Sequence, residues 1–165
     1  MNRRLFLSVF PAALLAGCGF QLRRLEGIPF ASLYVDAPSD SGVVQRIRNA
    51  LQSNKNTRLT ATVGEAEAVL QVGQEERTKI ILSLSGAGRV TEYRLGLKLT
   101  YSVKGKDGRS LAAAETIELV RDFTYDDSQV LAKGVEEKFL FRDMEDTAAQ
   151  RILRRMQAIP PGAAT

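Results

Sequence analysis

Histidine and tryptophan are absent from the 165 residues, and cysteine occurs once, at Cys18. Without histidine there is no Ser-His-Asp or Cys-His nucleophile system and no histidine-ligated zinc or iron site. A single cysteine forms no disulfide, CxxC centre or iron–sulfur cluster within one chain. Long apolar runs are scarce too. The N-terminal one, Leu5 to Leu15, is too short to cross a bilayer as a helix, which takes about 20 residues. Blocks of like charge are also missing. The 23 basic and 19 acidic residues give a formal charge of +4, and setting aside Arg3 and Arg4 leaves 21 against 19. With its bases scattered in this way, the chain does not imply a nucleic-acid partner. Carboxylates could still act in pairs. However, Asp126-Asp127 and Glu136-Glu137 match no metal-loop spacing and read as solvated charge flanking a helix. No enzyme activity, metal or dissociable cofactor is expected.

What is there begins with an address. Arg3 and Arg4 precede the apolar run, which is broken by Ser8 and Pro11, and together they read as a secretory signal over residues 1–17. The run ends in Leu15-Ala16-Gly17-Cys18, which resembles the lipobox of bacterial lipoproteins. That resemblance implies a diacylglyceryl group on the Cys18 sulfur, cleavage before Cys18 and acylation of the new amine. The thiolate is the nucleophile this chemistry needs, and small neighbours let a protease reach the backbone. One acyl chain anchors marginally, whereas three hold a protein permanently. Gly19 after the cysteine implies the outer membrane, not retention at the inner one.

Residues 18–30 are expected to form a lipidated tether, 31–159 a single domain and 160–165 a tail. A domain of this size buries a core without staples. Ser32 to Asp36 is a strand candidate, and Pro38 to Gly42 offers turn and N-cap chemistry. Val43, Val44, Ile47, Ala50 and Leu51 recur at helical spacing, predicting an amphipathic helix that ends near Ser53-Asn54. Three strands follow. The first runs from about Ala68 to Ser83. The second has the clearest alternation, with Tyr93, Leu95, Leu97, Leu99, Tyr101 and Val103 on one side and Glu92, Arg94, Gly96, Lys98, Thr100 and Ser102 on the other. The third, Leu111 to Tyr125, places Leu111, Ala113, Ile117, Leu119, Phe123 and Tyr125 inward. Ser85 to Gly88 and Gly105 to Gly108 are the hairpin turns. A last helix starts near Asp127 or Ser128, with Gly134 as a point of interruption. It carries the stripe Phe141, Met144, Ala148, Ile152, Met156 and Ile159, and it stops at Pro160-Pro161. The order β-α-β-β-β-α predicts an α/β (α+β) two-layer sandwich, with two helices packed on one face of a mixed four-stranded sheet.

Three short stretches now carry a resemblance. They are Cys18 to Arg23 behind the lipobox, Thr91-Glu92-Tyr93 opening the alternating strand, and Arg121-Asp122-Phe123 leading through Tyr125-Asp126 to Leu131-Ala132-Lys133. In this element order the chain resembles the lipopolysaccharide-assembly lipoprotein family LptE, from Cys18 to about Met156. The resemblance implies a non-enzymatic lipoprotein of the cell outer membrane, facing the periplasm. Such a protein sits as a plug in the lumen of the outer-membrane β-barrel LptD, helps that barrel assemble and takes part in inserting lipopolysaccharide into the outer leaflet. It further implies lipopolysaccharide-contacting bases on the hairpin before the Glu-Tyr strand and just after the last strand. Lys133 matches the second position and Arg89 is the base nearest the first. Arg94 and Lys98, on the wet face of the middle strand, are candidates for contacts with the barrel wall. The competing reading is a tethered lipid- or glycolipid-binding module acting without a barrel, which needs an apolar cavity.

Overall fold

The computed structural model describes residues 27–53 and 56–163. The expected signal segment, lipid attachment at Cys18 and tether up to residue 26 lie outside the described residues. In chain order the elements are β1 (Ser32–Asp36), α1 (Gly42–Gln52), β2 (Arg58–Leu59), β3 (Ala68–Val72), β4 (Glu76–Leu84), β5 (Val90–Gly105), β6 (Ser110–Thr124) and α2 (Val130–Gln157). Single 3-10 turns at Val63–Glu65 and Asp127–Gln129 precede β3 and α2.

The α+β class and the mixed sheet stand, but the sheet has six strands and not four. Part of the excess is one expected strand broken in two. Both β3 and β4 run antiparallel to the same edge of β5, with Val72 opposite Tyr101 and Glu76 opposite Lys98. Gly73 still donates its amide to Thr100 O at 2.8 Å, after which the chain leaves the ladder for two residues. The other new strand, β2, is only two residues long and lies parallel to β1. It is too short to show any period.

β1 also pairs in parallel with β3, so the residues Leu59, Leu33, Ala68 and Gly105 form one row across the sheet. β6 closes the other edge of β5, from Glu92–Thr124 to Lys104–Ser110. Between Tyr101 and Val103 the β6 register slips by one residue, from Glu115 to Ala112. A bulge of this kind flips the side chains beyond it. As a result Ala112 is buried and Ala113, expected inward, is exposed. The alternation of β5 is otherwise as expected, with Leu95, Leu97, Leu99, Tyr101 and Val103 all buried.

Ser41 caps α1, its Oγ accepting from Val44 N at 3.2 Å. Val43, Val44, Ile47 and Leu51 are buried, while Ala50 is exposed. Helix α2 passes Gly134 without a break. Its C-terminal half buries Met144, Ala148, Ile152 and Met156 in the same apolar cluster as α1 and the strands. Its N-terminal half is different. There Leu131, Val135 and Phe139, four residues apart, are 88%, 65% and 63% exposed. None of β4 is buried either, and Ile80, Ile81, Leu82 and Leu84 are among its exposed residues. One end of the molecule is therefore a packed body. The other is a tip built of β4, the first half of β5, the last half of β6 and the start of α2.

Candidate functional site

The tip is set by a tight turn. Ser85 N donates to Arg89 O at 2.7 Å, Gly88 N donates to Ser85 O at 2.9 Å, and Gly88 takes a φ of 74°, which glycine adopts without steric cost. Arg89 follows directly, exposed at the extremity, with its backbone amide on Ser85 Oγ. At the same end of the sheet, β6 finishes at Thr124 opposite Glu92, and Tyr125 N bonds Thr91 O at 2.8 Å. Asp126 then accepts from Ser128 N at 2.8 Å. This backbone donor, together with the Ser128 side chain, holds the Asp126 carboxyl below the usual carboxylate range.

Lys133, in the first turn of α2, reaches back to Thr124 Oγ1 at 3.4 Å and pairs with Glu136 Oε2 at 2.8 Å. The fold thus brings Arg89 and Lys133 to one end. Their states differ, however. The Arg89 guanidinium has no ion pair among the described residues, whereas Lys133 is already compensated and its side chain is only 15% exposed.

Arg94 and Lys98 lie on the open face of the sheet, as expected. Arg94 makes a two-pronged pair with Asp122, Nε to Oδ1 at 2.7 Å and Nη2 to Oδ2 at 2.8 Å. Hydrogen bonding and charge raise the Arg94 pKa and lower that of Asp122. Both groups are in water, so the pair orients side chains more than it stabilises the fold. Lys98 is exposed between Glu76 and Glu118, its partners on the neighbouring strands. Thr100 and Thr116 share a hydrogen bond of 3.0 Å in the next row. This face is wet and charged.

Two clusters escaped the sequence reading. Glu145 sits within the buried stripe of α2 at 5% exposure. It pairs with Arg46 of α1 at 3.0 Å and with Arg77 of β4 at 2.7 Å. Arg77 also holds Glu75, whose other oxygen accepts from Ser41 Oγ at 3.0 Å and Val43 N at 3.3 Å, at the start of α1. That pull takes the chain out of the ladder between β3 and β4. An acid four residues from Phe141 and three from Ala148, inside an apolar stripe, was the available signal. The second cluster holds Lys79. Its Nζ lies 4.3 Å from the Tyr93 ring centre, 5.9 Å from those of Phe123 and Tyr125, and 2.6 Å from Glu137 Oε2. Three aromatic residues of matching strand parity around one β4 lysine could have suggested it.

Among the described residues no group of three or more His, Cys, Asp or Glu is placed to hold a metal ion. The concavity between β1, β3 and β5 is open and carries Asp36, Gln71, Thr100 and Ser102 on its walls. Ala37, Pro38, Val72 and Ala114 line it as well.

Fold and surface together define a small α+β domain with a buried apolar core, a wet sheet face and a projecting tip. The comparisons with known proteins place it further. The profile of the family described as "LptE: Lipopolysaccharide-assembly" matches residues 30–156, so the chain belongs to the LptE family of lipopolysaccharide-assembly proteins. Relatives named LPS-assembly lipoprotein LptE, from Pectobacterium atrosepticum and Photorhabdus laumondii, are 28% and 27% identical. Each alignment covers 96% of this chain and 88% of the relative. Among solved structures, lipoprotein B of Nitrosomonas europaea superposes with a TM-score of 0.73 at 32% identity, over 85% of this chain and 91% of that one. Rare lipoprotein B of Shewanella oneidensis gives 0.65 at 28%, over 76% and 92%.

Proposed function

We propose that this chain is a lipid-anchored outer-membrane lipoprotein that plugs an LptD-like β-barrel, helps that barrel assemble, and contacts lipopolysaccharide during its insertion into the outer leaflet. The observation that carries this reading is the family match across residues 30–156, which takes in the whole packed body and the tip. Three features of the surface support it. The wet face around Arg94, Asp122, Lys98 and Thr100 suits the polar interior of a wide barrel. The exposed stripe Leu131, Val135 and Phe139 is apolar surface of the kind that a partner covers. Arg89, uncompensated at the extremity, suits the phosphates of lipid A through charge-assisted hydrogen bonds. Lys133 joins it by exchanging Glu136 for phosphate.

The test is co-purification. From detergent-solubilised outer membrane, the tagged protein brings down a large β-barrel identified by mass; recovery as a free monomer sinks the plug reading. For the tip, an Arg89→Asp, Lys133→Asp double variant with an unchanged circular dichroism spectrum loses lipopolysaccharide binding. Undiminished binding removes both residues from the site.

A further inference from the structure

The end of the molecule opposite the tip carries its own charge pattern. The row Leu59, Leu33, Ala68, Gly105 marks that end of the sheet, and there the described chain enters through Gly27 to Ala31. The entry is tied down. Ala31 N donates to Glu67 Oε2 at 2.7 Å, and Gly27 packs beside Asn56. Four cations surround the entry point. Arg58 begins β2, opposite Ser32. Lys104 and Lys106 flank Gly105, with Lys106 N bonded to Glu67 O. Arg154 sits in the last turn of α2, which returns to this end where Ala163 O meets Arg109. All four are exposed and have no ion pair among the described residues. Of the local acids, Asp107 pairs with Arg109, while Glu67 accepts the Ala31 amide and keeps its charge. Glu65 is the exposed acid left against them.

We infer that this end is a docking surface for anionic phospholipid headgroups, and that it sets the orientation of the domain on the leaflet in which Cys18 is anchored. This rests on the lipid-anchor reading above. From Cys18 to Gly27 the chain reaches at most about 30 Å, so the entry end is held within that distance of the leaflet. Exposed Lys and Arg beside a lipid anchor are drawn to anionic headgroups, over a range of about 8 Å at physiological salt. Three acyl chains already hold the protein, so the basic end contributes direction and not attachment. β5 runs from this end to the tip, about 50 Å at a strand's rise.

The test uses the purified mature lipoprotein, reconstituted on phosphatidylcholine vesicles and on the same vesicles containing phosphatidylglycerol. Flotation reports the anchor, and amine labelling read by mass spectrometry reports the docking. The expected result is flotation with both vesicles. Labelling of Lys104 and Lys106 should fall several-fold on the anionic ones alone, Lys138 in the first half of α2 should stay unchanged, and high salt should restore labelling without releasing the protein. Flotation with equal labelling on both vesicles overturns the inference and leaves the anchor standing. Failure to float with either overturns the two together. Protection that appears only when a barrel is co-reconstituted assigns this end to the barrel rim and overturns the lipid docking.

Discussion

At the scale of single residues, Gly42 and Glu145 depend on one another. A Cβ built on Gly42 would lie 2.5 to 2.7 Å from the three carboxyl atoms of Glu145. That carboxylate cannot move aside, because Arg46 and Arg77 grip it from two elements. Alanine in place of helical glycine ordinarily gains about 0.5–1 kcal/mol. Here overpacking costs about 1–3 kcal/mol and decides the sign. Gly42→Ala is therefore expected to lower the urea midpoint, and a rise would contradict the packing. Glu145 also titrates abnormally. Burial pushes its carboxyl up from the ordinary 4.5, and Arg46 and Arg77 pull it back only in part. The folded state thus holds the proton more tightly than the unfolded chain. That contribution is complete below about 4.5 and is lost as pH rises through the folded value. Glutamine cannot ionise, so Glu145→Gln should gain stability relative to the native protein as pH climbs toward neutrality. The lowered carboxyls of Asp107, Asp122 and Asp126 act in the opposite direction. They are common to both proteins and cancel in the difference. Urea midpoints across a pH series check this, and a gap that widens against the variant would refute it.

At the scale of elements, β4 is the strand whose place needs explaining, since it buries no side chain. Its ladder to β5 fixes one edge. The rest comes from two cations on one face. Lys79 reaches Glu137, and Arg77 reaches Glu145 while its guanidinium lies 5.4 Å from the centre of the Phe141 ring. Glu137, Phe141 and Glu145 are spaced by fours, a single line along α2. Such contacts are worth about 1–2 kcal/mol together. Removing the Lys79 contacts with Lys79→Ala should speed amide exchange in β4 severalfold while leaving the global midpoint nearly unchanged. Uniform exchange across the sheet would mean that β4 is held otherwise.

This clamp also explains which elements were legible in the sequence. β5 and the C-terminal half of α2 face water on one side and core on the other, so their periods are plain. The break at Gly73–Glu75 has a tertiary cause, the hold of the α1 start on Glu75, and a propensity reading along one strand does not contain it. The bulge opposite Ser102 flipped Ala112 and Ala113 for a similar reason. Of the candidate site, Arg89 was legible as a base beside a glycine turn. The pairing of Lys133 has a local signal too, since Glu136 stands three residues on, within ion-pair reach on a helix.

At the scale of the whole molecule, the core is drawn from residues between Ile28 and Ile159. On the proposed reading, acylation would add a tether and the barrel a surface around parts already formed. The exposed apolar residues Leu131, Val135 and Phe139 stand on a helix whose other end is packed, so the fold does not depend on covering them. The expected outcome is a domain that forms before it meets lipid or barrel. A chain beginning at Gly19, exported behind a cleavable signal without a lipobox, should be soluble and unfold cooperatively. Its thermal midpoint should lie within a few degrees of the lipidated protein, which corresponds to less than about 1 kcal/mol. The native-like near-ultraviolet circular dichroism should persist as well. An expanded state that binds a hydrophobic dye would instead make folding conditional on the barrel. In that case the domain could not act as a preformed template on which the barrel closes. A matched midpoint shows that the domain's stability owes nothing to the lipid.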